Sequence, residues 1–63
     1  MYEYQVVWVE AELLDNDDLA LRATAMINKW VQEGWEFESL NPARNELSAT
    51  PTPGVYLVFR RSQ

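Results

Sequence analysis

Residues 55–61, Val55-Tyr56-Leu57-Val58-Phe59-Arg60-Arg61, decide how this chain folds. Side chains alternate across a strand, so Val55, Leu57 and Phe59 take one side and Tyr56 and Val58 the other. Both sides are apolar, and β-branched and aromatic residues suit a pleated surface. A strand apolar on both faces belongs in the middle of a sheet. Its neighbours have to come from the two other strand-like segments. In residues 2–10, Tyr2, Tyr4, Val6 and Trp8 fall on one face and Glu3, Gln5, Val7 and Val9 on the other. In residues 35–40, Trp35 and Phe37 share a face and Glu36 and Glu38 the opposite one.

Between those two segments the period changes. Over residues 16–33, Leu19, Ala23, Met26, Ile27, Trp30 and Val31 recur at steps of three and four, the spacing of one helical stripe. Asp15 or Asn16 is placed to cap the first turn, and Asp17 and Asp18 sit where the helix dipole favours negative charge. Asp18 with Arg22, and Lys29 with Glu33, are i,i+4 pairs. Gly34 follows the last periodic residue, where a left-handed residue ends many helices. A helix of this length can cross between parallel strands. The fold expected is therefore α+β, a single domain over 1–63 of order β-α-β-β. The third strand is central (order 1-3-2), and one helix packs on one face of the sheet. Residues 41–54 hold all three prolines and read as a long loop. Asn41-Pro42 would start a helical turn there, and Thr50-Pro51-Thr52-Pro53 would be extended.

One helix covers one face of a sheet, which leaves the other to be accounted for. Either Tyr2, Tyr4, Val6 and Trp8 or Val7 and Val9 must point away from the helix, together with Tyr56 and Val58. A contiguous apolar patch on an uncovered sheet marks an interaction surface. Its simplest partner is a second copy, because closed homodimers are the commonest oligomers. Tyr2, Tyr4, Val7, Trp8, Val9, Tyr56 and Val58 are thus the candidate interface residues. The competing expectation is that residues 41–54 fold over that face. Association would also help a chain of 63 residues. At that size core burial and ordering entropy nearly cancel, and neither cysteine nor histidine is present to staple it.

Composition narrows the chemistry. Ten acids against five bases give a net charge of −5. That excludes general nucleic-acid binding, which rests on Lys and Arg at phosphates, and anionic membrane surfaces. It leaves open a basic surface on a host protein. Without cysteine there is no disulfide or thiol chemistry, and the setting expected is cytoplasmic. Met1-Tyr2-Glu3-Tyr4 lacks the basic start of a signal peptide, and no apolar run reaches membrane-spanning length. Asp15-Asn16-Asp17-Asp18 is acidic but fails as a calcium loop, having Leu19 at the fifth position and no glycine at the sixth. Ser39, Ser48 and Ser62 have no histidine to activate them. Glu36 and Glu38 share a strand face but have no cleft around them in this pattern. No catalytic residue, metal or cofactor is expected. Arg44, Arg60 and Arg61 are the candidate anion contacts, since guanidinium forks suit phosphate or carboxylate. A nucleotide held between subunits is the small-molecule alternative.

Three segments carry a family resemblance. They are Glu3-Tyr4-Gln5-Val6-Val7 and Tyr56-Leu57-Val58-Phe59-Arg60-Arg61 at the two ends, and Ile27-Asn28-Lys29-Trp30-Val31-Gln32-Glu33-Gly34-Trp35-Glu36-Phe37 between them. Together they resemble the small bacterial and phage domain-of-unknown-function family four-one-seven-seven, and Glu33-Gly34-Trp35-Glu36 is the most specific piece. Gln5 and Arg60 stand where Lys is usual in that family, and the bulky Trp30 and the proline-rich loop are further departures. The resemblance implies a small α+β fold and a bacterial or phage source. It implies no activity and carries over no functional residues. The function expected is a non-catalytic, self-associating interaction module. The alternative expectation is a phage or mobile-element inhibitor that engages a host protein through its acidic surface.

Overall fold

The computed structural model describes residues 1–11, 16–45 and 52–63. Its elements run β1 (Tyr2–Glu10), α1 (Asn16–Gln32), β2 (Glu36–Asn45) and β3 (Thr52–Ser62). They form one three-stranded sheet in the order β1-β3-β2, with β3 antiparallel to both neighbours. The central position follows from the two apolar faces of β3.

Register assigns every side chain to a face. Val55 lies opposite Val9 and Leu57 opposite Val7, while Tyr56 lies opposite Trp8 and Val58 opposite Val6. The first set meets α1. Val9, Ala23, Trp35, Val55, Leu57 and Phe59 form the buried core, and Val7, Leu19, Met26, Ile27 and Trp30 pack against it. Leu57 and Phe59 are 0% exposed. The indole of Trp30 stacks on Phe59 with centroids 5.6 Å apart. Val31, assigned by spacing to the helix stripe, is instead exposed. It lies at the margin of the stripe, one residue past Trp30, whose larger ring takes the core position.

Helix α1 ends where Gly34 predicts, and the reason is visible in its backbone. Gly34 has φ 95°, open to glycine because it has no Cβ. Trp35 N–H donates to Trp30 O and Gly34 N–H to Val31 O, both at 3.1 Å, which is the paired bonding of a Schellman cap. The rings of Trp30 and Trp35 meet edge to face at 5.6 Å across that cap. One glycine between two tryptophans thus ends the helix, seals the core and launches β2. Asp17 and Asp18 occupy the first turn, and the Arg22 guanidinium donates to Asp18 Oδ2 at 3.1 Å. The expected cap at Asp15 lies outside the described residues.

The largest departure from expectation is in residues 41–54. Asn41–Asn45 continue β2, and Thr52–Gly54 begin β3, so most of this stretch is hairpin rather than loop. Asn41-Pro42 starts no helical turn. Pro42 is accommodated because it lies opposite Val55, whose own amide bonds lie on the β1 side, so the proline nitrogen faces the free edge. Thr52-Pro53 is extended, as the sequence indicates, whereas Thr50 and Pro51 lie outside the described residues. No described helix is long and apolar enough to cross a membrane.

Candidate functional site

The sheet face opposite α1 carries Tyr2, Tyr4, Val6 and Trp8 from β1 and Tyr56 and Val58 from β3. Strand alternation places them there: the odd-numbered residues of both strands face α1, so the even-numbered ones face away. Tyr4 and Val6 are each 55% exposed, and Tyr56 is 45% exposed. The described parts of the 41–54 stretch, Asn41–Asn45 and Thr52–Gly54, run as strands in the sheet and do not fold over Tyr56; residues 46–51 lie outside the described residues.

The patch is ordered by its own contacts. Trp8 and Tyr56, opposite each other across β1 and β3, bring their rings to 4.8 Å. Gly54, diagonal to Trp8, leaves room for that indole, since a Cβ there would strike its six-membered ring. Trp8 Nε1 donates to Glu10 Oε2 at 3.4 Å, which holds the polar edge of the indole at the rim. Tyr2 and Tyr4 stand 6.5 Å apart at the far end. Ser39 and Asn41 border the patch on β2, joined by an amide-to-hydroxyl bond of 3.3 Å.

Charge borders this face at both ends, with the Glu10 carboxylate beside Trp8 at one and Arg60 at the other. The Arg60 guanidinium lies 4.5 Å over the Tyr2 ring and donates to Glu36 Oε2 at 3.4 Å. Its pKa is raised. Desolvation works in the lowering direction, but Tyr2 and the carboxylates of Glu36 and Glu38 outweigh it. One cation thus stands against two nearby carboxylates at this end of the patch, with Glu36 in direct contact.

Not every candidate interface residue lies on this face. Val7 and Val9 belong to the core beneath α1, and Val9 is buried. The sequence left open which face of β1 is covered, and the structure covers the odd-numbered set.

The three arginines do not converge. Arg44, opposite Pro53, and Arg60, opposite Glu36, sit near opposite ends of the β2–β3 ladder. Seven positions of β3 separate them, about 23 Å at about 3.3 Å per residue. Arg61 is on the α1 side, 4.4 Å over the Trp35 ring and 2.8 Å from Glu3 Oε1. Arg44 lines an apolar groove of about 510 Å³ between α1 and β2, with Leu19, Leu40 and Pro42. Within one chain, then, these residues make no common anion site. Glu36, considered as half of a carboxylate pair, is engaged with Arg60.

Compared with protein-family models, with curated proteins and with solved structures, the chain matches none.

Proposed function

We propose that this protein is a non-catalytic interaction module that self-associates by stacking the open faces of two sheets. The observation that carries this is the apolar and aromatic stripe of Tyr2, Tyr4, Val6, Trp8, Tyr56 and Val58, which no described element covers. It faces away from the only helix among the described residues. Rigid, large apolar side chains in a continuous patch are what a protein interface buries at its centre. The Trp8–Tyr56 pair supplies an anchor already ordered before contact, so little side-chain entropy is lost on docking.

Sedimentation equilibrium through the micromolar range tests the proposal, with the double variant Tyr56→Lys/Val58→Lys beside the wild type. The wild type is expected to exceed the 7.4 kDa of one chain, and the variant to lose mass at the same concentration. Both substitutions keep a strand-compatible backbone, and far-UV circular dichroism checks that the variant is folded. A wild type that stays at one chain mass, or a folded variant with unchanged mass, would remove the basis for stacking.

A further inference from the structure

Among the described residues no strand pairs with the outer edge of β1, and two backbone bonds beyond the strand ends show which amides point there. Ala11 N–H donates to Pro53 O and Gln63 N–H donates to Met1 O, both at 3.1 Å. Register between them is continuous, from Tyr2 opposite Ser62 to Glu10 opposite Gly54. In an antiparallel ladder only alternate pairs exchange hydrogen bonds. The odd-numbered residues of β1 therefore bond to β3, and the N–H and C=O of Tyr4, Val6 and Trp8 project outward. Nine residues present this edge with neither proline nor bulge.

The opposite edge of the sheet is built differently. On β2 the outward amide position at Pro42 has no N–H, and a bulge breaks the register between Phe37 and Ser39. Proline and bulges are standard means of keeping a sheet edge from recruiting another strand. The β2 edge is thus interrupted by both a proline and a bulge, whereas β1 has neither and carries charge only near its ends, at Glu3 and Glu10.

We propose that β1 pairs antiparallel with β1 of a second copy, about a two-fold axis at Val6, joining two three-stranded sheets into one. This register uses the whole of Tyr2–Glu10. It sets Tyr4 opposite the second copy's Trp8 and Glu3 opposite its Val9, and no two like charges face each other. Glu3 then arrives on the helix side, beside a groove of about 360 Å³ whose charged lining is Arg22, Lys29 and Glu10, two cations against one carboxylate. Helix α1 rests on all three strands.

Area gives a second reason. Three strands about 4.8 Å apart and nine residues of about 3.3 Å make an open face of roughly 400 Å². That is about half of the ~800 Å² that each partner gives to a standard interface. Two edge-joined sheets present about twice the area, so edge pairing brings face stacking into the range of a stable contact. The edge pair nevertheless stands apart from stacking, because one uses backbone amides and the other side chains.

Amide hydrogen exchange followed residue by residue by NMR, at low and high protein concentration, tests the edge pair. Tyr4, Val6 and Trp8 have outward amides and are expected to slow by about tenfold or more as concentration rises. Val6→Pro removes the central outward N–H without touching the β3 ladder and should abolish the slowing at Tyr4 and Trp8. Val6→Thr keeps the N–H and should preserve it. Repeating the exchange in Tyr56→Lys/Val58→Lys separates the two contacts. Concentration-dependent slowing that survives there supports the edge pair even if stacking is lost. Fast exchange of these three amides at every concentration in the wild type overturns the edge pair, whatever the mass. So does slowing that Val6→Pro leaves intact.

Discussion

Gly54→Ala should be among the most damaging single-methyl additions this chain can receive, and the structure says why. Gly54 is buried in β3 opposite Glu10. Its φ lies outside the left-handed region, where among the described residues only Gly34 is found, so alanine meets no backbone strain there. The obstacle is space. A Cβ at this position collides with Cη2 and Cζ2 of Trp8 and lies 2.7 Å from Val9 O. The indole can swing away, but the carbonyl belongs to the β1 backbone and can move only if the two strands part. Overpacking of this kind costs about 1–3 kcal/mol. Displacing Trp8 also gives up its 4.8 Å ring contact with Tyr56, and such pairs contribute about 0.5–1.5 kcal/mol beyond burial. The expected loss is thus about 2–4 kcal/mol. A domain of 63 residues has only roughly 3–9 kcal/mol in all.

Urea unfolding followed by far-UV circular dichroism measures this directly, at one fixed protein concentration so that association does not shift the midpoint. With m near 1 kcal/mol/M, the midpoint should fall by about 2–4 M. Trp8→Ala provides the second arm of a double-mutant cycle. If the clash with the indole is the main cost, Gly54→Ala should be at least about 1 kcal/mol less damaging in the Trp8→Ala background. A Gly54→Ala protein within about 0.5 kcal/mol of the wild type would refute the steric account. Equal damage in both backgrounds would assign the cost to the Val9 carbonyl alone.

Gly34→Ala should cost about 1–2 kcal/mol for the opposite reason, since nothing lies within 4 Å of its Cβ position while its φ of 95° disfavours any L side chain. A neutral or stabilised Gly34→Ala in the same urea assay would contradict the Schellman geometry. Trp30→Phe should change stability by less than about 1 kcal/mol, because the smaller ring loses packing on Phe59 but removes a buried indole N–H that has no hydrogen-bond partner. A loss above about 2 kcal/mol would show that the N–H is satisfied in solution.

Much of this fold is legible in the residues because several local signals agree. The two apolar faces of Val55–Phe59 fix β3 as central, the three-and-four spacing from Leu19 to Trp30 fixes one helix, and Gly34 fixes where it stops. The covered face of β1 was not legible by apolar content, since both sets contain valines or aromatics. Polar residues point the wrong way, because they fall on the face that α1 covers. Glu3 and Gln5 precede Val7 and Val9 on the odd face, and the core beneath α1 contains only the two valines. Glu3 instead reaches Arg61 at the sheet's end. The even set is apolar or aromatic from Tyr2 to Trp8, a pattern that would also suit a core strand. The extension of β2 through Asn41–Asn45 was hidden by Asn-Pro, a common helix start. What sequence reading lacked was the hydrogen-bonding parity that turns the Pro42 nitrogen outward, where no donor is required. The separation of Arg44 from Arg60 follows from the same extension, because a loop could have brought them together and a ten-residue strand holds them apart.

That parity also divides the work of β1 between alternate residues. Odd-numbered positions send side chains to the α1 side and amides to β3, and Val7 and Val9, which reach the core, are committed to folding in both respects. Even-numbered positions send side chains to the open face and amides to the free edge, so Tyr4, Val6 and Trp8 retain both kinds of unused contact. β3, by contrast, bonds to a strand on each side and supplies both fully buried side chains, Leu57 and Phe59. Substitutions along β3 at odd positions must therefore act first on stability. Those at Tyr4 or Val6 can alter association while the fold persists. The coupling point is Trp8, whose ring belongs to the open face yet packs against Gly54 at the strand crossing. In the proposed assembly Trp8 and its ring partner Tyr56 would serve both folding and contact.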